Sequence, residues 1–292
     1  MHPVLITDFM IDLHTHSTAS DGTLNPAELV RYAKERGVEV LSLTDHDTLS
    51  GLDEALEEAL RIGLDFIPGV EISAEFEPGT LHVLGYFVDP SDSFLEGRLL
   101  WMRDGRDNRN IVILRKLAEL GYPLEMEEVQ QFAGGESTGR PHIADAMVKR
   151  GYVASRDEAF DRFLAKGGPA YADKERMTPE EAIALISRSG GLPFLAHPQW
   201  LLVDDATLEN LVIGLQEKGL AGLETYYYSH SKAQTAFYES LAERRGLLVA
   251  GGTDYHGPQG LKGTEIGVGD GGMNVPREVA DRLFEAHRRL SR

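Results

Sequence analysis

The chain has 292 residues, a formal net charge of -18, 42% hydrophobic residues, 31 glycines and no cysteine. That length and composition allow one large α/β domain or two smaller ones with a sizeable core and exclude a disordered chain, while the missing cysteine excludes disulfides, thiolate metal sites and cysteine nucleophiles. The acidic balance argues against a long nucleic-acid duplex as partner, because such binding needs clustered Lys and Arg to displace counterions from phosphates.

Residues 1–9 precede the first clear strand and are read as an extension without a function of its own. Ile11 to His14 predicts a short strand. Asn25-Pro26 caps and opens a helix running to Gly37, with Pro at the first helical position and Gly past its end. Glu39 to Thr44 is the next strand, and Ser50 starts a helix through Leu52, Leu56 and Leu60 that stops at Gly63. Asp65 to Ile72 and Leu81 to Phe87 read as two more strands. After Pro90 the pattern changes to helical segments without a convincing strand: Phe94 to Gly121, Glu125 to Ala133, Pro141 to Gly151 and Ser155 to Ala165. Alternation resumes with a helix from Thr178 to Gly190, where Thr178 and Glu181 have capping-box spacing. A strand over Leu192 to Ala196, a helix over Asp204 to Gly219, a strand over Leu220 to Thr225, a helix over Ser231 to Gly246 and a strand over Leu247 to Gly252 complete the series. Strand–helix alternation on both sides of an insert predicts parallel strands joined by crossover helices, read here as a barrel. The expected division is 10–92 and 178–292 for the barrel and 93–177 for the helical insertion. No apolar run approaches the ~20 residues of a membrane span, and no basic region followed by an apolar core opens the chain, so a cytoplasmic location is expected.

The chemistry-bearing residues gather at strand ends. Of ten histidines, His14, His16, His46, His197 and His256 fall at or just after the C-terminal end of a predicted strand, and His82 lies within one. In a barrel the active site lies where strands hand over to the following loops. A His-x-His pair at such an end suits a metal, because alternate side chains point the same way. Alone it more often marks two packed or surface histidines. A second strand-end motif, Asp254-Tyr255-His256, together with His46, Glu71 and His197 in equivalent positions, makes the metal reading the stronger one. Any such metal is held by His, Asp, Glu and water.

The ordered series Asp12-Leu13-His14-Thr15-His16, Ser20-Asp21-Gly22, Thr44-Asp45-His46-Asp47, Gly69-Val70-Glu71, the strand histidine His82, Ala196-His197-Pro198 and Asp254-Tyr255-His256 resembles the polymerase and histidinol phosphatase (PHP) family of metal-dependent phosphoesterases. The match runs over nearly all the chain from Ile11. It is most similar to the branch with a helical insertion after the first four strands, which includes nucleotide bisphosphate phosphatases and a short-RNA exonuclease. The resemblance implies a distorted parallel (β/α)7-type barrel and three divalent metal ions. Metal one would take His14, His16, Glu71 and Asp254, metal two Asp21, His46 and His256, and metal three Glu71, His82 and His197. A carboxylate has two oxygens to share between cations, which suits Glu71 as the bridge. Ser20-Asp21-Gly22 is otherwise an ordinary turn signal, and His82 otherwise a packed strand histidine. Asp12 and Asp45 are expected to orient imidazoles. The mixed nitrogen and oxygen donors suit manganese, zinc or iron without choosing among them.

Substrate groups are sought outside the metal ligands. Gly139-Arg140-Pro141-His142 places a guanidinium at a helix N-terminus, an arrangement that receives phosphate. A surface Arg bracing its own loop is the competing reading, and the resemblance, with an Arg-x-His in the insert reaching the substrate phosphate, favours function for Arg140 and His142. His230, between a strand and a helix, either meets phosphate, protonates a leaving group or merely caps. Arg103, Arg106 and Arg109 recur every three residues with Asp104 and Asp107 interleaved, which reads as a solvated helix face. The resemblance keeps a substrate contact open for Arg109. Lys166-Gly167-Gly168 departs from the related pattern, which often has a second Lys where Gly168 stands.

The expected reaction is hydrolysis of a phosphate ester on a small anionic substrate, a nucleotide or short oligonucleotide end, by hydroxide shared between two metals, with Arg140 and His230 serving the phosphoryl oxygens and leaving group. Two other readings compete. One is an amidohydrolase-type C–N hydrolase, which also opens with His-x-His but wants its bridging residue on a middle strand and a lone Asp on the last. The other is a non-catalytic metal-holding PHP module. Charge is uneven along the chain: residues 98–166 hold 12 Lys and Arg against 11 Asp and Glu, and the remainder 17 against 36. Three divalent ions would make the site locally positive inside an acidic shell, admitting small phosphorylated substrates and excluding long polyanions.

Overall fold

The computed structural model describes residues 9–132, 138–172, 177–258 and 264–290, apart from the side chains of Arg106 and Asp107. Seven strands, β1 (Met10–Asp12), β2 (Val38–Leu43), β3 (Asp65–Ala74), β4 (Leu81–Tyr86), β5 (Leu192–Leu195), β6 (Gly222–Tyr227) and β7 (Leu248–Gly252), form one sheet in that order. The chain continuing from β1 returns to that continuing from β7: Leu13 N–H donates to Gly251 O at 3.1 Å, and Thr15 and Tyr255 form a parallel bridge. The sheet therefore curls back on itself.

Helices α1 (Pro26–Glu35) and α2 (Leu52–Ile62) connect the first strands, and α7 (Pro179–Arg188), α8 (Asp205–Glu217) and α9 (Lys232–Arg245) the later ones. Their starts are set locally. Asn25 Oδ1 accepts from Glu28 N at 2.8 Å while Glu28 returns a bond to Asn25 N, and Thr178 and Glu181 repeat the arrangement.

One expectation is corrected, and one element goes beyond the sequence reading. Strand β4 is antiparallel to both β3 and β5, because only a short loop separates it from β3 and a parallel return would need a crossover. A final helix, α10 (Arg277–Leu290), was not read from the sequence; its Val279, Ala280 and Leu283 pack in a core with Ile11, Leu13, Phe194 and Ala250.

The described chain divides into two compact units, Met1–Glu96 with Met177–Arg292, and Gly97–Arg176. Helix α3 (Ser93–Glu119) leads into the second unit, which contains α4 (Met126–Gln130), α5 (Arg140–Lys149), α6 (Arg156–Ala159) and a short π-helix over Phe160–Leu164. Ile113, Leu117, Ile143, Met147 and Leu164 form its own apolar core. No described helix is long and apolar enough to cross a membrane.

Candidate metal centre

All nine proposed ligands lie in the barrel unit and converge. His14 and His16 leave β1, His46 leaves β2, His197 leaves β5, and Asp254 and His256 follow β7. His82 is the second residue of β4, and the reversal of that strand puts its beginning beside the ends of its neighbours: it pairs with Ser73, and Ala196 N–H donates to His82 O at 3.1 Å. The one antiparallel strand thus presents its proposed ligand from its start rather than its end.

Glu71 is the hub. Its Oε2 lies 3.2 Å from His14 Nε2, 3.4 Å from His16 Nε2 and 3.0 Å from His46 Nδ1, while Oε1 lies 2.7 Å from His82 Nδ1 and 3.0 Å from His197 Nε2. Asp254 Oδ1 approaches His16 Nε2 at 3.0 Å and His14 Nε2 at 3.3 Å. Asp21 approaches His256 Nε2 at 3.2 Å and His46 Nε2 at 3.8 Å. Three groups have donor atoms within 4.8 Å of one another: His14, His16, Glu71 and Asp254; His16, Asp21, His46 and His256; and His46, Glu71 and His82.

These residues fit divalent metal ions. His14 Nε2, both nitrogens of His16, His46 Nδ1 and Glu71 Oε2 are buried without a hydrogen-bond partner of good geometry, a cost a protein leaves standing where another ligand is to be accommodated. Burial alone pushes the carboxyls of Glu71 and Asp254 up, yet the surrounding imidazoles outweigh it and hold both well below the usual carboxylate range. Burial likewise opposes charge on His256, but the Asp21 hydrogen bond and Asp254 raise it to about 9. His46 is pushed down to about 3 by burial, with repulsion from His16 and His82 adding to it. Ionised carboxylates amid imidazoles, some protonated, form a set from which metal binding would displace protons.

A second tier of residues holds this arrangement. Glu224 on β6, fully buried, accepts from His14 Nδ1 at 2.8 Å and from His197 N–H at 2.6 Å. Fixing the proton on Nδ1 leaves His14 Nε2 facing Glu71 with its lone pair free. Tyr227 donates to Asp254 Oδ2 at 2.8 Å. Neither residue was singled out from the sequence; a lone carboxylate inside the apolar run Leu220 to Thr225, the same signal that marks Glu71, points to Glu224.

Asp12 and Asp45 do not orient imidazoles. Asp12 accepts from Thr253 N–H at 2.9 Å, Thr253 Oγ1 at 2.5 Å and Gly267 N–H at 2.9 Å, and Asp45 accepts from Ser17 N–H, Ser17 Oγ and Ser20 Oγ. Asp12 also accepts from His14 N–H at 3.3 Å, so each carboxylate clamps backbone beside proposed ligands, His14 and Asp254 in one case and His16 and Asp21 in the other. Among non-glycine residues at positive φ, Asp47 (52°), His197 (22°) and Asp254 (53°) sit at these strand ends, where backbone strain is held by the surrounding contacts.

His230 is placed beside this tier, its ring 5.2 Å from that of Tyr227. Its Nδ1 donates to Thr225 O at 2.9 Å, and burial lowers its basicity. The remaining candidates belong to the helical unit. Arg140 donates to Leu164 O at 3.1 Å and lies over the rings of Phe160 and Tyr171. His142 Nδ1 accepts from Gly139 N–H at 3.1 Å, closing the start of α5. Arg109 is buried rather than on a solvated face, donating at 2.8 and 3.2 Å to Asn110, which in turn donates to Thr138 O. The Arg106 side chain lies outside the described residues.

Comparison with known proteins gives a consistent assignment. The sequence matches the PHP domain family over residues 12–250. It is 33% identical over 265 residues to a 3',5'-nucleoside bisphosphate phosphatase of Chromobacterium violaceum, covering 88% of this chain and 90% of that protein. It is 35% identical over 249 residues to a 5'-3' exoribonuclease of Haemophilus influenzae, covering 85% and 90% respectively. A solved C. violaceum amidohydrolase with bound sulfate and no metal superposes with a TM-score of 0.79 at 31% identity, covering 95% of this chain and 96% of the other. The chain belongs to the PHP domain family and is a metal-dependent phosphoesterase.

Proposed function

We propose that the enzyme hydrolyses a phosphate ester of a nucleoside monophosphate, a nucleoside 3',5'-bisphosphate or a short oligonucleotide end, using three divalent ions of manganese, zinc or iron. The observation that carries this reading is Glu71, whose two oxygens are divided between three imidazoles on one side and two on the other. When bound, such ions activate water for in-line attack and neutralise the phosphoryl oxygens. His14, His16, Glu71 and Asp254 would hold the first, Asp21, His46 and His256 the second, and Glu71, His82 and His197 the third.

The rest falls to the chain's own residues. Glu224 and Tyr227 keep His14 and Asp254 in register, so little reorganisation is needed as charge develops. His230 keeps its proton on Nδ1, where it donates a hydrogen bond to Thr225 O, so a proton arriving on Nε2 creates an imidazolium. An incoming phosphate dianion favours that form, which binds a phosphoryl oxygen or protonates the leaving oxygen. On the family resemblance, Arg140 and His142 are assigned to the substrate phosphate, Arg109 to a substrate contact, and residues 93–177 to substrate recognition. The names of the bisphosphate phosphatase and exoribonuclease relatives support a nucleotide substrate.

The test is metal analysis joined to an assay panel of nucleoside monophosphates, nucleoside bisphosphates, histidinol phosphate, short RNA and an amide substrate. Metal-dependent release of phosphate or mononucleotide is the expected result. Turnover of the amide alone would restore the C–N hydrolase reading, and metals bound without any turnover would restore the non-catalytic module.

A further inference from the structure

The segment after His197 is built around an indole. Pro198–Leu201 forms a 3-10 turn bracketed by two non-glycine residues at positive φ, His197 (22°) and Leu202 (56°). Such conformations persist only where neighbouring contacts hold them, and this turn is held on several sides. Trp200 O accepts from Thr80 N–H at 2.8 Å, and a Cβ on Gly79 would lie 2.1 Å from that oxygen, so the hairpin fits against the turn only because residue 79 has no side chain. The Gln199 amide donates to Ser229 Oγ, tying the turn to the loop that carries His230.

The indole N–H of Trp200 points inward, 3.4 Å from the Tyr227 hydroxyl, which donates onward to Asp254. The ring is thus two hydrogen bonds from a carboxylate of the metal centre, yet 44% of the residue remains exposed. A large apolar ring fixed by its backbone and its one polar atom, with its body open to solvent at the rim of the site, has the form of a stacking surface.

We propose that Trp200 is the platform on which the base of the substrate stacks, making it a specificity-determining residue; this rests on the nucleotide reading above. Every base has a π-face, so stacking on an indole selects for a base without selecting which one. A sugar phosphate lacking a base can use the metal centre, including the support that Trp200 gives Tyr227, but has nothing to stack on the indole.

The experiment compares adenosine 3',5'-bisphosphate with the baseless ribose 3,5-bisphosphate on wild type, Trp200→Ala and Trp200→Phe. Trp200→Ala is expected to raise KM for the nucleotide about tenfold or more relative to the baseless compound, the loss seen when one base loses its aromatic partner, while any change for the baseless compound, from the lost support of Tyr227, is the same in Trp200→Ala and Trp200→Phe. Trp200→Phe keeps a ring but loses the N–H, and should restore most of the nucleotide KM. In a Trp101→Phe background Trp200 is the remaining tryptophan, and its emission should be quenched by the nucleotide and not by the baseless compound. Equal losses on both substrates in both variants, with no quenching, would overturn the proposal and make Trp200 a support for Tyr227 alone. If wild type turns over neither compound the nucleotide reading fails, whereas quenching still reports directly on stacking.

Discussion

Replacing Glu224 by Gln changes one atom of a buried side chain and tests the second tier directly. The carboxylate accepts two hydrogen bonds, from His14 Nδ1 at 2.8 Å and His197 N–H at 2.6 Å. An amide offers one acceptor and one donor, so it cannot do both. If its oxygen faces His14, its NH2 group meets the His197 N–H donor to donor. If its NH2 group faces His14, the imidazole must move its proton to Nε2, which blocks the atom aimed at Glu71 and Asp254. Either arrangement would weaken metal binding at His14. Losing an outer partner of a ligating histidine costs 10–100-fold in metal affinity, or about 1.4–2.7 kcal/mol. Glu224→Ala removes the acceptor from two buried donors, at about 1–3 kcal/mol for each, and should lower the melting temperature even without metal. The assay is competition for manganese and zinc against a chelator of known affinity, with thermal unfolding of the metal-free proteins alongside. Wild-type metal affinity in Glu224→Gln would refute the reasoning.

Other consequences can be checked in parallel. His16→Ala and Asp254→Ala should each abolish metal-dependent phosphoester hydrolysis while far-UV circular dichroism stays native; activity in well-folded, metal-stripped variants would sink the ligand assignment. Gly252→Ala would place a Cβ 2.3 Å from His14 N and 2.4 Å from His14 Cβ, so it should destabilise by ~2 kcal/mol or more and loosen metal binding together, as read by chemical denaturation and metal titration. Glu58 is held down to about 2, chiefly by its hydrogen bond with Arg61 and then by Arg31. Because its folded value lies below its unfolded one, its stabilisation is present above about pH 4.5 and is lost as pH falls through about 2. The melting difference between wild type and Glu58→Gln should therefore be largest near neutrality and vanish toward pH 2; a gap of constant size would show that Glu58 acts through packing.

The convergence of the candidate site is legible because strand-end chemistry leaves a mark in the sequence: His14, His16, His46, His197 and His256 each follow an apolar run, and Glu71 interrupts one. Direction was not legible. The apolar run Leu81 to Tyr86 fixes a strand but not which way it runs, and the short connection from β3 is the cue that β4 turns back. Asp12 and Asp45 were placed near the right atoms with the wrong partners, since a carboxylate beside a histidine in sequence reaches backbone across the barrel as readily as an imidazole. Helix α10 carried a readable pattern in Val279, Ala280, Leu283 and Phe284, obscured by its many charges. Tyr227 had no signal of its own; among three consecutive tyrosines, only the fold decides which one meets Asp254.

The closure of β1 onto β7 has a consequence for how the protein is made. Asp12 reaches Thr253 across 241 residues of chain, and His14 reaches Glu224 across 210. During synthesis His14, His16, His46, Glu71, His82 and His197 all emerge before Asp254 and His256 exist, so the nascent chain holds most of the ligands for much of its growth without being able to complete the first two ligand sets. Contacts this distant in sequence form late, after the intervening segments are ordered. A metal that prefers the complete set stabilises the closed ring over every open precursor by mass action. Filling of the two sets that include Asp254 and His256 would then mark closure of the ring as well as the onset of activity.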